Sequence, residues 1–141
     1  MDERGLLTSF LICKIGVALA AFALIGAIFS MRAGLGRLSE REDLTQLADT
    51  IAGAIETMDS LPGEAEIQRG LPEIPQQFEV VVVGERGSEV QIIHVHVIAE
   101  DEVERVLMLT NQVNGGEFTL AMKNPSVVHL TKVGTIQLEL I

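Results

Sequence analysis

Apolar and polar positions divide the chain into three stretches, each with its own period. From Leu6 to Ser30 apolar residues occupy every side of a would-be helix, Lys14 is the one charge, and Ile15 to Met31 carries none. Rising about 1.5 Å per residue, a helix over this stretch reaches roughly 37 Å, enough for a bilayer core of about 30 Å. In the next stretch Leu44, Leu47, Ala48, Ile51, Ala54, Ile55 and Met58 recur at three–four spacing, which predicts an amphipathic helix. Ser39 followed by Glu42 has the spacing of a capping box that would open it, and Pro62-Gly63 closes it. Gly34 and Gly36 precede that cap, and each costs about 1 kcal/mol in a helix interior relative to alanine. The expectation is one rod with a bend or short break near 34–39.

From Glu64 onward the period drops to two and β-branched residues take over. "AEIQRGL", "QFEVVVVG", "EVQIIHVHVIA", "VERVLMLTNQV", "EFTLAMK", "SVVHLTKV" and "TIQLELI" read as strands. Gly87, Asn114-Gly115-Gly116, Asn124-Pro125 and Gly134 mark short turns between them, which suit antiparallel hairpins and leave no room for crossover helices. The predicted class is α+β: a long hydrophobic-then-amphipathic helix followed by an antiparallel sheet or small sandwich. Its expected divisions are a leader at 1–5, an apolar helix at 6–31, an amphipathic helix at 32–61 and a β head at 64–141.

Charge narrows the partners. The chain has 10 Lys+Arg against 20 Asp+Glu, a formal net charge of −10, and the β region alone holds 12 acidic against 5 basic side chains. Such a surface repels phosphate backbones, and with no Trp or Tyr stacking platforms for single strands are nearly absent. Nucleic acid is therefore excluded as an expected partner. The lone cysteine, Cys13, lies in the apolar run, where it reads as inert packing.

Chemistry-bearing patterns are sparse. His94 and His96 alternate onto one strand face, the spacing by which two imidazoles can reach one metal, with His129 as a third ligand from a neighbouring strand. The preferred reading is plainer: polar residues on the solvated face of a sheet whose other face carries Ile93, Val95 and Val97. Glu100, Asp101, Glu102 and Glu104 lack the alternation and glycine of a calcium loop and read as a solvated turn. No phosphate loop, paired metal motif or nucleophile elbow is present. No enzyme activity, cofactor or resident metal is expected, and His94 and His96 stand as the weak metal candidates.

A cleaved secretory signal would need a basic leader and an apolar stretch of about 7 to 15 residues, whereas this leader is acidic on balance and its apolar run longer. Instead, a short charged leader ending Arg4-Gly5 directly before the apolar run at Leu6 resembles the signal of archaeal type IV pilins. The layout of long N-terminal helix and β-rich head is similar as well. The resemblance implies cleavage by a prepilin peptidase between Gly5 and Leu6. It also implies a precursor held in membrane lipid and a homo-oligomeric helical filament, or assembly with other pilin-like subunits, built through the apolar helix. The β head would then be extracellular on a single-pass protein of the cell membrane and surface. Exchange of lipid for helix contacts needs close backbone approach, and Gly16 with Ala20, Ala23 with Ala27, and Gly26 with Ser30 have the small-xxx-small spacing.

Departures from the family pattern are specific. Bacterial pilins usually place a glutamate five residues beyond the cut, where Phe10 stands here. Lys14 would be a buried charge in a filament core and would need a carboxylate, carbonyl or hydroxyl from a neighbour. Arg32, Arg37 and Arg41 flank the far end of the apolar run against Arg4 at the near end, and the positive-inside rule would place the head in the cytoplasm. The rival expectation is a single-pass anchored β-sandwich that binds or acts as a stator without polymerising.

Overall fold

In the computed structural model, which describes residues 3–141, the N-terminal part is one uninterrupted helix, α1, Glu3–Ser60. Leucine, alanine and other good helix formers dominate it, and the backbone ladder runs through Gly34 and Gly36 without a break. Ser39 is thus an interior helical residue rather than a cap. The cost of two glycines, about 1 kcal/mol each, is smaller than that of leaving several backbone groups unpaired on both sides of a gap. The residues up to Ser39 form one unit and Glu40–Ile141 a second.

Seven strands follow: β1 Ala65–Gly70, β2 Glu79–Arg86, β3 Gln91–Ile98, β4 Glu102–Leu109, β5 Phe118–Lys123, β6 Val127–Val133 and β7 Thr135–Leu140. Each arises from one of the period-two segments, and all pairings are antiparallel. A three-stranded sheet has the order β1-β6-β7 and a four-stranded sheet the order β4-β3-β2-β5. Tight turns join β2 to β3, where the Gly87 N–H donates to the Val90 carbonyl at 2.9 Å, and β6 to β7, where Gly134 takes a left-handed φ of 76° that only glycine adopts without strain. Gly84 on β2 is required for a different reason. It lies opposite Phe118 of β5, and a Cβ there would stand 2.4 Å from the Phe118 ring, so the missing side chain is the space the aromatic fills.

One core joins both sheets to the second part of α1. Leu44, Leu47, Ile51, Ile55 and Met58 are fully buried, together with Val80, Val82, Ile93 and Val95 from the four-stranded sheet and Val128, Leu130 and Ile136 from the three-stranded one. The predicted amphipathic face is the face that packs. Polar side chains fix its end. Lys132 points inward on β6 and is buried, yet its ammonium donates to the carbonyls of Leu61 at 2.6 Å and Met58 at 3.3 Å. These are carbonyls that a helix C-terminus leaves unpaired, where a cation is favoured. Asp59 clamps the same turn to the end of β4, accepting from Asn111 N–H at 2.8 Å and Asn111 Nδ2 at 2.9 Å. Burial works to raise the Asp59 carboxyl, but these bonds and those from Thr110 outweigh it and hold it below its ordinary range.

Candidate functional sites

The first candidate is the apolar part of α1. Its side chains from Glu3 to Ser39 are exposed in the single chain, including Leu19 at 64%, Phe22 at 73% and Leu24 at 65%. The helix has a window of mean hydropathy 2.4 with none of it buried, so by length and composition it can cross a membrane. Uninterrupted helical geometry lines up the small residues more fully than three separate pairs. Gly16, Ala20, Ala23, Ala27 and Ser30 step by four, three, four and three along one side, Gly34 continues the stripe, and Gly26 lies beside it. A Cβ built on Gly16, Gly26 or Gly34 would meet nothing within 4 Å, so no packing inside the chain requires these glycines.

Lys14 finds a partner on its own helix. Its ammonium lies 4.7 Å from the centre of the Phe10 ring, one turn earlier, a cation–π distance. The Thr8 hydroxyl, a candidate acceptor for that charge, donates to the Arg4 carbonyl at 2.7 Å instead. Arg4, Gly5 and Leu6 all lie in the opening turns of α1, while Met1 and Asp2 of the expected leader fall outside the described residues.

The second candidate lies on the exposed face of the four-stranded sheet. Inward Ile93, Val95 and Val97 are buried, so strand alternation turns His94 and His96 outward, their rings stacked with centroids 6.2 Å apart and planes 14° from parallel. Antiparallel register sets Glu104 of β4 directly opposite His96. His94 Nδ1 lies 2.9 Å from Glu104 Oε1, and His96 Nδ1 lies 2.8 Å from Glu102 Oε1. The far nitrogens also face carboxylates: His94 Nε2 is 3.9 Å from Glu85 and His96 Nε2 is 3.8 Å from Glu104. The hydrogen bond from His94 holds the Glu104 carboxyl below its ordinary range.

Two expectations are corrected here. Glu102 belongs to β4 rather than to a solvated turn, because β4 begins one residue earlier than the period-two pattern suggests, and Glu104, which that pattern already includes, lies within the same strand. His129 does not join the pair: it lies on β6, in the other sheet. There it stands between Glu66 of β1, 2.8 Å from Nε2, and Glu139 of β7, 3.5 Å from Nδ1. The Glu66 hydrogen bond, then that of Glu139, raises the His129 pKa above its ordinary 6.5. Which strands share a sheet is set by long-range pairing, which spacing along the chain does not encode.

Fold and exposed helix together define an α+β protein with one helix long and apolar enough to cross a membrane. None of the protein families, curated proteins or solved structures compared with the chain matches it.

Proposed function

We propose that the chain is a structural, pilin-like subunit that sits in a membrane by its apolar helix and then polymerises through that helix into a surface filament or secretion-type pseudopilus, with the head outside. The observation that carries this reading is the stripe of small residues from Gly16 to Gly34, with Gly26 beside it, whose glycines have open space around them. Glycine in a helix interior costs about 1 kcal/mol relative to alanine, and a lone anchor surrounded by lipid gains nothing in return. Close contact with a second helix does gain, because small residues let backbones approach. The step of four and three along the stripe is also the spacing by which helices pack at a shallow crossing angle. The Arg4-Gly5 junction before Leu6 supports processing by a prepilin peptidase. Sequencing the N-terminus of the mature protein tests this: a start at Leu6 supports it, and recovery of an intact Met1 or Asp2 counts against it.

A specific observation favours the rival reading, a single-pass anchored head that does not polymerise. Lys14 has its own partner in Phe10 and can lift its ammonium toward the headgroups along its four-carbon stem. Arg32, Arg37 and Arg41 at the far end act as interfacial anchors on the same reading. Lys14→Glu separates the two. In a filament core it removes the assembled species while the precursor still reaches the membrane, whereas in a lone anchor no assembled species exists to lose.

A further inference from the structure

We propose that His94, His96 and Glu104 form a binding site on the head for one divalent d-block cation, zinc above all, with Glu102 holding the other nitrogen of His96 and Glu85 lying on the side of the other nitrogen of His94. Each of the three residues offers one ligand atom, and these atoms lie within 4.8 Å of one another. A tetrahedral ion with bonds of about 2.0 to 2.1 Å needs donor atoms about 3.4 Å apart. Glu104 Oε1 lies 2.9 Å from His94 Nδ1 and 3.8 Å from His96 Nε2, on either side of that value, so side-chain rotations that draw the two imidazoles toward it complete the set.

The surrounding carboxylates argue for a metal more strongly than the three ligands alone. An imidazole that binds a cation through one nitrogen gives its other N–H to a carboxylate, carbonyl or water, which fixes the tautomer and makes the ligand more basic. His96 Nδ1 already faces Glu102 at 2.8 Å, which puts the proton on Nδ1 and leaves the Nε2 lone pair for the ion. His94 is arranged the other way round: its Nδ1 faces Glu104, and its Nε2 faces Glu85 at 3.9 Å. On binding, His94 gives up its hydrogen bond to Glu104 and ligates through Nδ1, with its N–H at Nε2 on the side of Glu85. Two imidazoles and one carboxylate select zinc, copper(II) or nickel over calcium and magnesium, which want oxygen ligands only. The fourth position opens to solvent, since His94 and His96 keep about a quarter of their side-chain surface exposed, and water fills it.

His129 supplies the internal contrast. It too lies between two carboxylates, Glu66 and Glu139, but no second imidazole joins it there. A histidine in an acidic setting is therefore common to both places, and the paired rings distinguish only one of them.

The test uses the untagged full chain in detergent micelles, stripped of metal by a chelator, with zinc titrated calorimetrically and cobalt(II) followed by its visible absorption. One equivalent of zinc should bind, cobalt(II) should give the intense bands of a tetrahedral site, and zinc should raise the melting temperature, as any ligand of the folded state does. His94→Ala and His96→Ala should each abolish uptake at micromolar zinc while the metal-free melting temperature holds. Glu102→Gln should weaken binding by about 10- to 100-fold, the usual effect of removing an outer carboxylate. His129→Ala and Cys13→Ser should leave uptake unchanged. Absence of saturable binding up to millimolar zinc overturns the proposal, and so does binding that survives His96→Ala or is lost in His129→Ala.

Discussion

Ala23 and Ala48 are the same residue on the same helix, and their surroundings are opposite. Ala48, with Ala52 and Ala54, is buried against the sheets, where a small side chain lets the helix approach the strands. Ala20, Ala23 and Ala27 sit in an equally regular row with open surface around them. Local backbone structure is identical in the two regions, so propensity cannot explain the difference. The second part of α1 has its partner in the chain, and its polar residues keep to the outer face. The first part is apolar on all sides, and its partner must come from elsewhere, as lipid, as other helices or as each in turn.

The sharpest way to break this comparison is to enlarge the small residues in the open row. Ala23→Leu combined with Ala27→Leu should remove assembled species, read by sedimentation or electron microscopy, while membrane insertion and the melting temperature of the head stay as they were. The matching change in the filled region acts in reverse. Ile51 is fully buried, and Ile51→Ala should destabilise the head by about 2 to 5 kcal/mol in denaturant unfolding, through lost transfer energy and the cavity left behind. An unchanged midpoint would mean that this face lacks the packing described above.

Smaller effects sharpen how the head holds the helix. Lys132→Met removes the ammonium that satisfies the Met58 and Leu61 carbonyls and should destabilise by about 1 to 3 kcal/mol, the range for buried polar groups left unpaired. Melting that does not change would show those carbonyls reaching water. The smallest effect is a matter of pH. Because His129 has a raised pKa in the fold, chiefly through Glu66, its contribution is complete below the ordinary value near 6.5 and fades as pH rises through the raised one. The melting-temperature difference between the natural chain and Glu66→Gln should therefore be larger at pH 6 than at pH 9, and a difference that grows with pH would refute the assignment.

Most of the fold was legible because its signals are local. Every period-two segment became a strand, and the three–four row from Leu44 to Met58 became the buried helix face, since burial on one side imprints itself on neighbouring positions. What escaped the sequence depends on pairing between distant residues. Glu104 becomes a partner of His94 and His96 only once β3 and β4 adopt their register, and His129 leaves the group because β6 joins the other sheet. Ser39 and Glu42 carried a genuine capping pattern, but a cap acts only where the helix has an end. The signal for Lys132 is local: in "VVHLTKV" it shares the inward parity of Val128 and Leu130, a position a lysine occupies only with acceptors at hand.

The central claim is that the apolar part of α1 packs against copies of itself, and electron cryo-microscopy of the protein extracted from its own membranes tests it most directly. A helical lattice is expected, with the rows from Gly16 to Gly34 of neighbouring subunits facing each other at interaxial distances of about 8 to 10 Å and the heads displayed outside. Particles with a single apolar helix surrounded by detergent or lipid, in every preparation, would contradict it.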